Sequence, residues 1–145
     1  MVTVERQAIV PYNARDMYAL VDDVAAYPEF LPWCSGAEIG QFSEQCTVAT
    51  LHVRFRGVRQ QFTTENAKVP GERITMRLVS GPFRQLAGEW RFVALSEEAC
   101  RVELELSYEL ASAVLGRLVG PVFNYIANSF VDAFVQRADV LYGRR

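Results

Sequence analysis

The side chains of this 145-residue chain that could do covalent or metal chemistry are few: His52, the cysteines Cys34, Cys46 and Cys100, and the adjacent acids Asp22-Asp23 and Glu97-Glu98. A zinc site or a Cys-His dyad needs a histidine and thiolates within bonding reach of one another. His52 falls on the outward positions of an alternating strand, and the cysteines are far apart with no C-x-x-C pair. They read as reduced, mostly buried thiols. The acid pairs stand at a helix end and in a turn, where solvated charge is the ordinary outcome. No G-x-x-x-x-G-K-[ST] loop and no G-x-G-x-x-G turn is present to cradle phosphates. With no general base, nucleophile or ligand set to assemble, the residues argue against an enzyme and against a required cofactor or metal.

Binding is better provided for. Tyr27, Phe30, Leu31 and Trp33 crowd into one short stretch bracketed by Pro28 and Pro32, which restrict the backbone. Such a segment makes either a rigid lid over an opening or a plug for the core. Trp90 and Phe92 share a strand face with Gly88, which either admits a partner closely or marks a sheet bend. Phe123, Phe130 and Phe134 recur at helical spacing, as the wall of a tunnel or as plain core, with Ala127, Asn128 and Ser129 placed to orient a polar head group.

Charge points to a second kind of partner. The net charge of −2 hides a division: residues 52–91 carry eight Lys or Arg against three Asp or Glu, and the remainder seven against fourteen. Arg54, Arg56, Arg59, Arg73 and Arg77 face outward in the strand reading, suited to phosphates of folded RNA or simply to water.

The elements that must position these groups follow from periodicity. Val2, Val4, Ala8 and Val10 alternate with polar neighbours as a strand, with Arg6 the exception, and Asn13 caps a helix carrying Met17, Leu20, Val21 and Val24 on one face. Tyr27-Pro28 ends that helix in a compact turn. Alternation then marks strands around 48–56, from Gly57 through Phe62, at 74–78, at 86–92 and at 100–109. From Ser112 to Tyr142-Gly143 the composition is helical, giving a helix roughly 45 Å long whose start Gly116, Gly120 and Pro121 can kink. The expected order is strand, helix, helix-like turn, six strands, of which alternation locates the five above, and long helix, an α+β domain spanning 1–145 in which a curved antiparallel sheet wraps the last helix. That helix contains Arg117, Asp132, Arg137 and Asp139 and suits a protein core better than a bilayer. The start, Val2-Thr3-Val4-Glu5, lacks a signal-like apolar run, so a cytoplasmic protein is expected, with any membrane contact peripheral.

Three stretches carry a resemblance: Val24-Ala25-Ala26-Tyr27-Pro28-Glu29-Phe30-Leu31-Pro32-Trp33-Cys34, then Gly81-Pro82-Phe83-Arg84-Gln85-Leu86-Ala87-Gly88-Glu89-Trp90-Arg91-Phe92, then Phe130 to Ala138 running on to Tyr142-Gly143. In order and position they resemble the coenzyme Q-binding START-domain family, polyketide cyclase/dehydrase-like proteins of helix-grip (Bet v 1-like) fold. The likeness covers nearly the whole chain, and Pro11-Tyr12 and Glu98-Ala99-Cys100-Arg101 are similar to its bacterial ribosome association toxin branch. The resemblance implies two functions. One is binding of coenzyme Q (ubiquinone) or a similar polyprenyl lipid in support of respiration, with peripheral contact at the inner membrane and the aromatic residues above as ligand contacts. The other is docking on the large ribosomal subunit through the five arginines, with an antitoxin protein as a further partner. Cyclase or dehydratase activity, present in the wider superfamily, is the remaining enzymatic alternative.

Overall fold

Period-2 alternation sends successive side chains to opposite faces of a sheet. In the computed structural model, which describes residues 1–143, that pattern produces seven antiparallel strands. They are β1 (Val2–Val10), β2 (Cys34–Phe42), β3 (Cys46–Phe55), β4 (Val58–Val69), β5 (Arg73–Ser80), β6 (Phe83–Ala94) and β7 (Cys100–Leu110), in the order β1-β7-β6-β5-β4-β3-β2. The curved sheet holds the long C-terminal helix against its inner face. Between β1 and β2, which form the two edges, the chain crosses by helix α1 (Ala14–Asp22) and a 3-10 turn (Val24–Glu29). The Asn13 side chain caps α1 by accepting the Asp16 N–H at 2.8 Å.

Two elements differ from the expectation. β2 escapes the periodicity because register shifts between Cys34 and Gly36 and between Ile39 and Gln41 interrupt its ladder, and a bulge throws the alternation out of phase. β4 runs on past Phe62 to Val69 although its inward positions there are polar: Thr64, Asn66 and Lys68. A buried Lys68 is held by Asp22 at the end of α1, Nζ to Oδ1 3.0 Å, and by the face of Phe42, 4.0 Å from its centroid.

The C-terminal helix is two helices. Ser112 caps α2 (Ala113–Leu118) by accepting the Leu115 N–H at 3.2 Å, and α3 (Gly120–Tyr142) starts afresh with Pro121 in its first turn. Proline has no N–H to continue the preceding helix, and α2 buries none of its six residues, so little holds the two axes in line. The 23 residues of α3 span roughly 35 Å at 1.5 Å each. α3 buries Val122, Phe123, Ile126, Ala127, Phe130, Val131, Phe134 and Ala138, and most of these meet the inner face of the sheet. Arg6, the misfit in β1, points inward at the sheet edge and donates to Asn128 Oδ1 of α3. Among the described residues, no helix is long and apolar enough to cross a membrane.

Candidate functional site

Tyr27, in the 3-10 turn just before Pro28, and Trp33, just after Pro32, both pack against α3. The Tyr27 hydroxyl donates to Val21 C=O at 2.5 Å, anchoring the turn to the end of α1, and burial pushes that phenol well above its ordinary pKa. Edge-to-face pairs then join Trp33 to Phe130 (5.6 Å), Trp90 to Phe130 (5.6 Å) and to Phe134 (5.4 Å), and Tyr27 to Phe134 (5.3 Å). Each such pair adds about 0.5–1.5 kcal/mol beyond the area it buries. Phe92 stacks on Trp90 at 6.2 Å, and Leu31 is buried. Phe30 lies further out, its ring covered by the Arg137 guanidinium at 5.1 Å.

Between this cluster and the sheet lies a cavity of about 60 Å³. Tyr27, Trp33, Trp90, Phe123 and Phe130 line it; Phe30, Leu31, Phe92 and Phe134 do not. Its volume takes a water or two, whereas sites for drug-sized ligands are about 300–1,000 Å³. Gly88 opens no path for a ligand, because a Cβ there would meet Leu106 Cδ1 and Met76 Cε, both at 2.8 Å. Asn128 and Ser129 bond within α3, to the carbonyls of Asn124 and Ile126. The polar lining comes instead from Thr64, Asn66 and Tyr108. The Thr64 hydroxyl donates to Asn66 Oδ1 at 2.9 Å, but Tyr108 Oη is buried with no hydrogen-bond partner among the described residues, and desolvation raises its pKa. Alternation along β7 already turned Tyr108 inward; no sequence signal placed Thr64 and Asn66 there, since polar residues rarely mark an inner face.

On the outer face the arginines divide into two groups. Arg77 pairs with Glu65, Arg73 with Glu89 (3.9 Å), and Arg91 bridges Glu89 (2.6 Å) and Glu103 (2.9 Å), while Arg101 also holds Glu103 (2.6 Å). Those two guanidiniums keep the Glu103 carboxyl below the usual carboxylate range, and the two acids push Arg91 up. The middle of the face is therefore self-neutralised. Arg54, Arg56 and Arg59, at the β3–β4 end, are exposed and form no ion pair among the described residues.

The reactive side chains stay apart. His52 faces outward and binds Glu38 Oε2 at 2.6 Å, Cys34 and Cys100 are buried free thiols raised by desolvation, and Cys46 is half-buried. Among the described residues, no three of His, Cys, Asp and Glu gather as a metal-ligand set. Asp22 is not the solvated acid expected at a helix end, since it serves Lys68.

With this geometry in place, comparison with known proteins is informative. Residues 10–135 match the family model for polyketide cyclase/dehydrase and lipid transport proteins. The chain is 46% identical over 140 residues, 97% of each chain, to a Pseudomonas aeruginosa protein named ribosome association toxin RatA. It is 26% identical to a Xenopus laevis protein named coenzyme Q-binding protein COQ10 homolog B, mitochondrial, over 94% of this chain and 58% of that one. Among solved structures, the Zhui aromatase/cyclase of a Streptomyces species superposes with a TM-score of 0.81 at 21% identity, over 95% of this chain and 93% of that one. At that identity the likeness speaks for the fold.

Proposed function

The chain belongs to the polyketide cyclase/dehydrase and lipid transport family, and from that premise we propose that it works without catalysis, by docking on the ribosome. The large subunit is the surface we assign to it. The observation that carries this reading is the division of charge on the outer face, which leaves Arg54, Arg56 and Arg59 without an ion pair among the described residues at one end while Arg73, Arg77, Arg91 and Arg101 meet acids. A ribosome presents dense phosphate, for which free guanidiniums are suited. The relatives at 41–46% identity named ribosome association toxins support the same partner. The cytoplasm is the matching compartment, and an antitoxin protein belongs among the partners if toxicity is shared. Purified protein sedimented with large subunits should co-migrate at low salt, with affinity falling steeply and linearly in log–log form as salt rises. Absence of co-migration at ~50 mM salt would sink the docking reading.

A second reading has its own observation: the Tyr108 hydroxyl, without a partner among the described residues, belongs to a side chain that lines a mostly apolar cavity. An apolar molecule with one carbonyl or hydroxyl oxygen, coenzyme Q among them, would satisfy it if the aromatic wall parted. Solvent extraction of protein made in a quinone-producing host, followed by mass spectrometry, should then yield stoichiometric lipid, reduced in Tyr108→Phe. An empty extract from folded protein would leave ribosome docking as the remaining function.

A further inference from the structure

The β3–β4 hairpin end holds features that its own stability does not explain. Arg54 and Arg59 stand directly opposite each other in the ladder, where like charges repel, and no acid among the described residues pairs with either. Arg56 begins the two-residue turn with φ 50°, the one positive-φ non-glycine among the described residues, and Gly57 follows at φ 81°. Such turns favour Asn, Asp or Gly at both positions, so an arginine there is strained. An anion bound between Arg54 and Arg59 would relieve their repulsion.

Beside the pair opens a groove of about 440 Å³ lined by Ser35, His52, Arg54, Arg59, Gln60 and Gln61, together with Val53. Arg54 and Arg59 are the charged residues of its lining, and His52, which also lines it, hydrogen-bonds Glu38 at 2.6 Å. Around the turn, Phe55 and Tyr125 stack 5.2 Å apart and 13° from parallel, and the Arg56 guanidinium sits 4.8 Å and 5.1 Å from their centroids.

We infer that this groove binds the phosphodiester backbone of RNA, with Arg54 and Arg59 gripping one phosphate and Arg56 reaching a neighbouring one. The inference rests on the ribosome-docking reading and names its contact. Paired guanidiniums alone would suit a carboxylate or a phosphate. The ribosome-docking reading decides between them, because a subunit surface is dense in RNA phosphate, to which the Arg54–Arg59 pair, without an acid partner among the described residues, is complementary. Gln61, on the same face as Arg59, adds a neutral donor for the remaining backbone oxygens.

The test uses the full chain against two probes, intact large subunits and the protein-free RNA extracted from them. Wild-type protein should bind both. Arg54→Gln/Arg59→Gln should weaken binding on the order of tenfold and flatten the salt slope by about one to two, while Arg73→Gln/Arg77→Gln, already neutralised by acids, should change affinity by less than about twofold. Neither double variant should melt earlier than wild type, because all four side chains are exposed and one substitution removes a repulsion. Equal losses in the two double variants would overturn the inference in favour of diffuse attraction. Wild-type binding to subunits but not to their RNA, unaffected by Arg54→Gln/Arg59→Gln, would overturn the groove and leave ribosome docking standing. Wild-type binding to RNA that Arg54→Gln/Arg59→Gln weakens, without subunit co-migration, would support the groove and sink the docking function alone.

Discussion

Trp90→Ala is expected to lower unfolding stability by about 3–5 kcal/mol and the melting temperature by roughly 10–15 °C. Trp90 is 1% exposed, stacked on Phe92, and edge-on to both Phe130 and Phe134 of α3. Its cross-strand neighbours Ile74 and Leu104 are themselves buried, so the surroundings are pinned on three sides and collapse poorly into the space left behind. Against a total stability of about 5–15 kcal/mol, this is a large share. Trp90→Phe keeps most of the volume and should cost about half as much or less. Because the new void is apolar, added indole should raise the melting temperature of Trp90→Ala and leave the wild type unmoved. A loss under about 1 kcal/mol in denaturant titration would show that Trp90 lines a hollow site rather than a packed core, and would revive the lipid reading.

The Lys68–Asp22 pair should respond asymmetrically to substitution. Lys68 is the buried partner, its side chain 1% exposed, whereas the Asp22 side chain is 18% exposed and can rehydrate. Asp22→Ala strands an ammonium in the interior with only the Phe42 ring beside it, at a cost of about 2–4 kcal/mol. Lys68→Met fills the same space and leaves a carboxylate that water reaches, costing about 1–2 kcal/mol. The double variant Asp22→Ala/Lys68→Met should be no worse than Asp22→Ala alone, since the second change removes the stranded charge. Additive losses in the four-cornered cycle would show that the two groups do not act as a pair. The pair matters for the fold because it ties β4 to the end of α1 and, through Phe42, to the edge strand β2.

Local pattern by itself determined a good deal of this protein. Alternation around Leu51, Trp90 and Leu104 placed their strands and inner faces, the Asn13 cap located α1, and the three motif stretches identified the family. These features depend on neighbours a few residues away, so they can be read without knowing what lies across the core. β2 was hidden because bulges destroy the period on which such reading depends. The break at Val119 between α2 and α3 was suggested by Gly116, Gly120 and Pro121, and α2, whose Leu115 is only partly buried, gains little from continuing in line with α3.

Only the tertiary structure decided the rest. Five outward arginines looked alike in the sequence; strand register set Arg77 against Glu65 and brought Arg73, opposite Arg91, within 3.9 Å of Glu89, while setting Arg54 against Arg59. Likewise, Tyr27, Trp33, Phe130 and Phe134 have the same composition whether they enclose a hollow or fill it, and the edge-to-face packing leaves about 60 Å³. The reason is common to both cases. Charge neutralisation and cavity volume are sums over groups distant in the chain, brought within a few ångströms by the register of strands and the seating of α3, and local periodicity records neither.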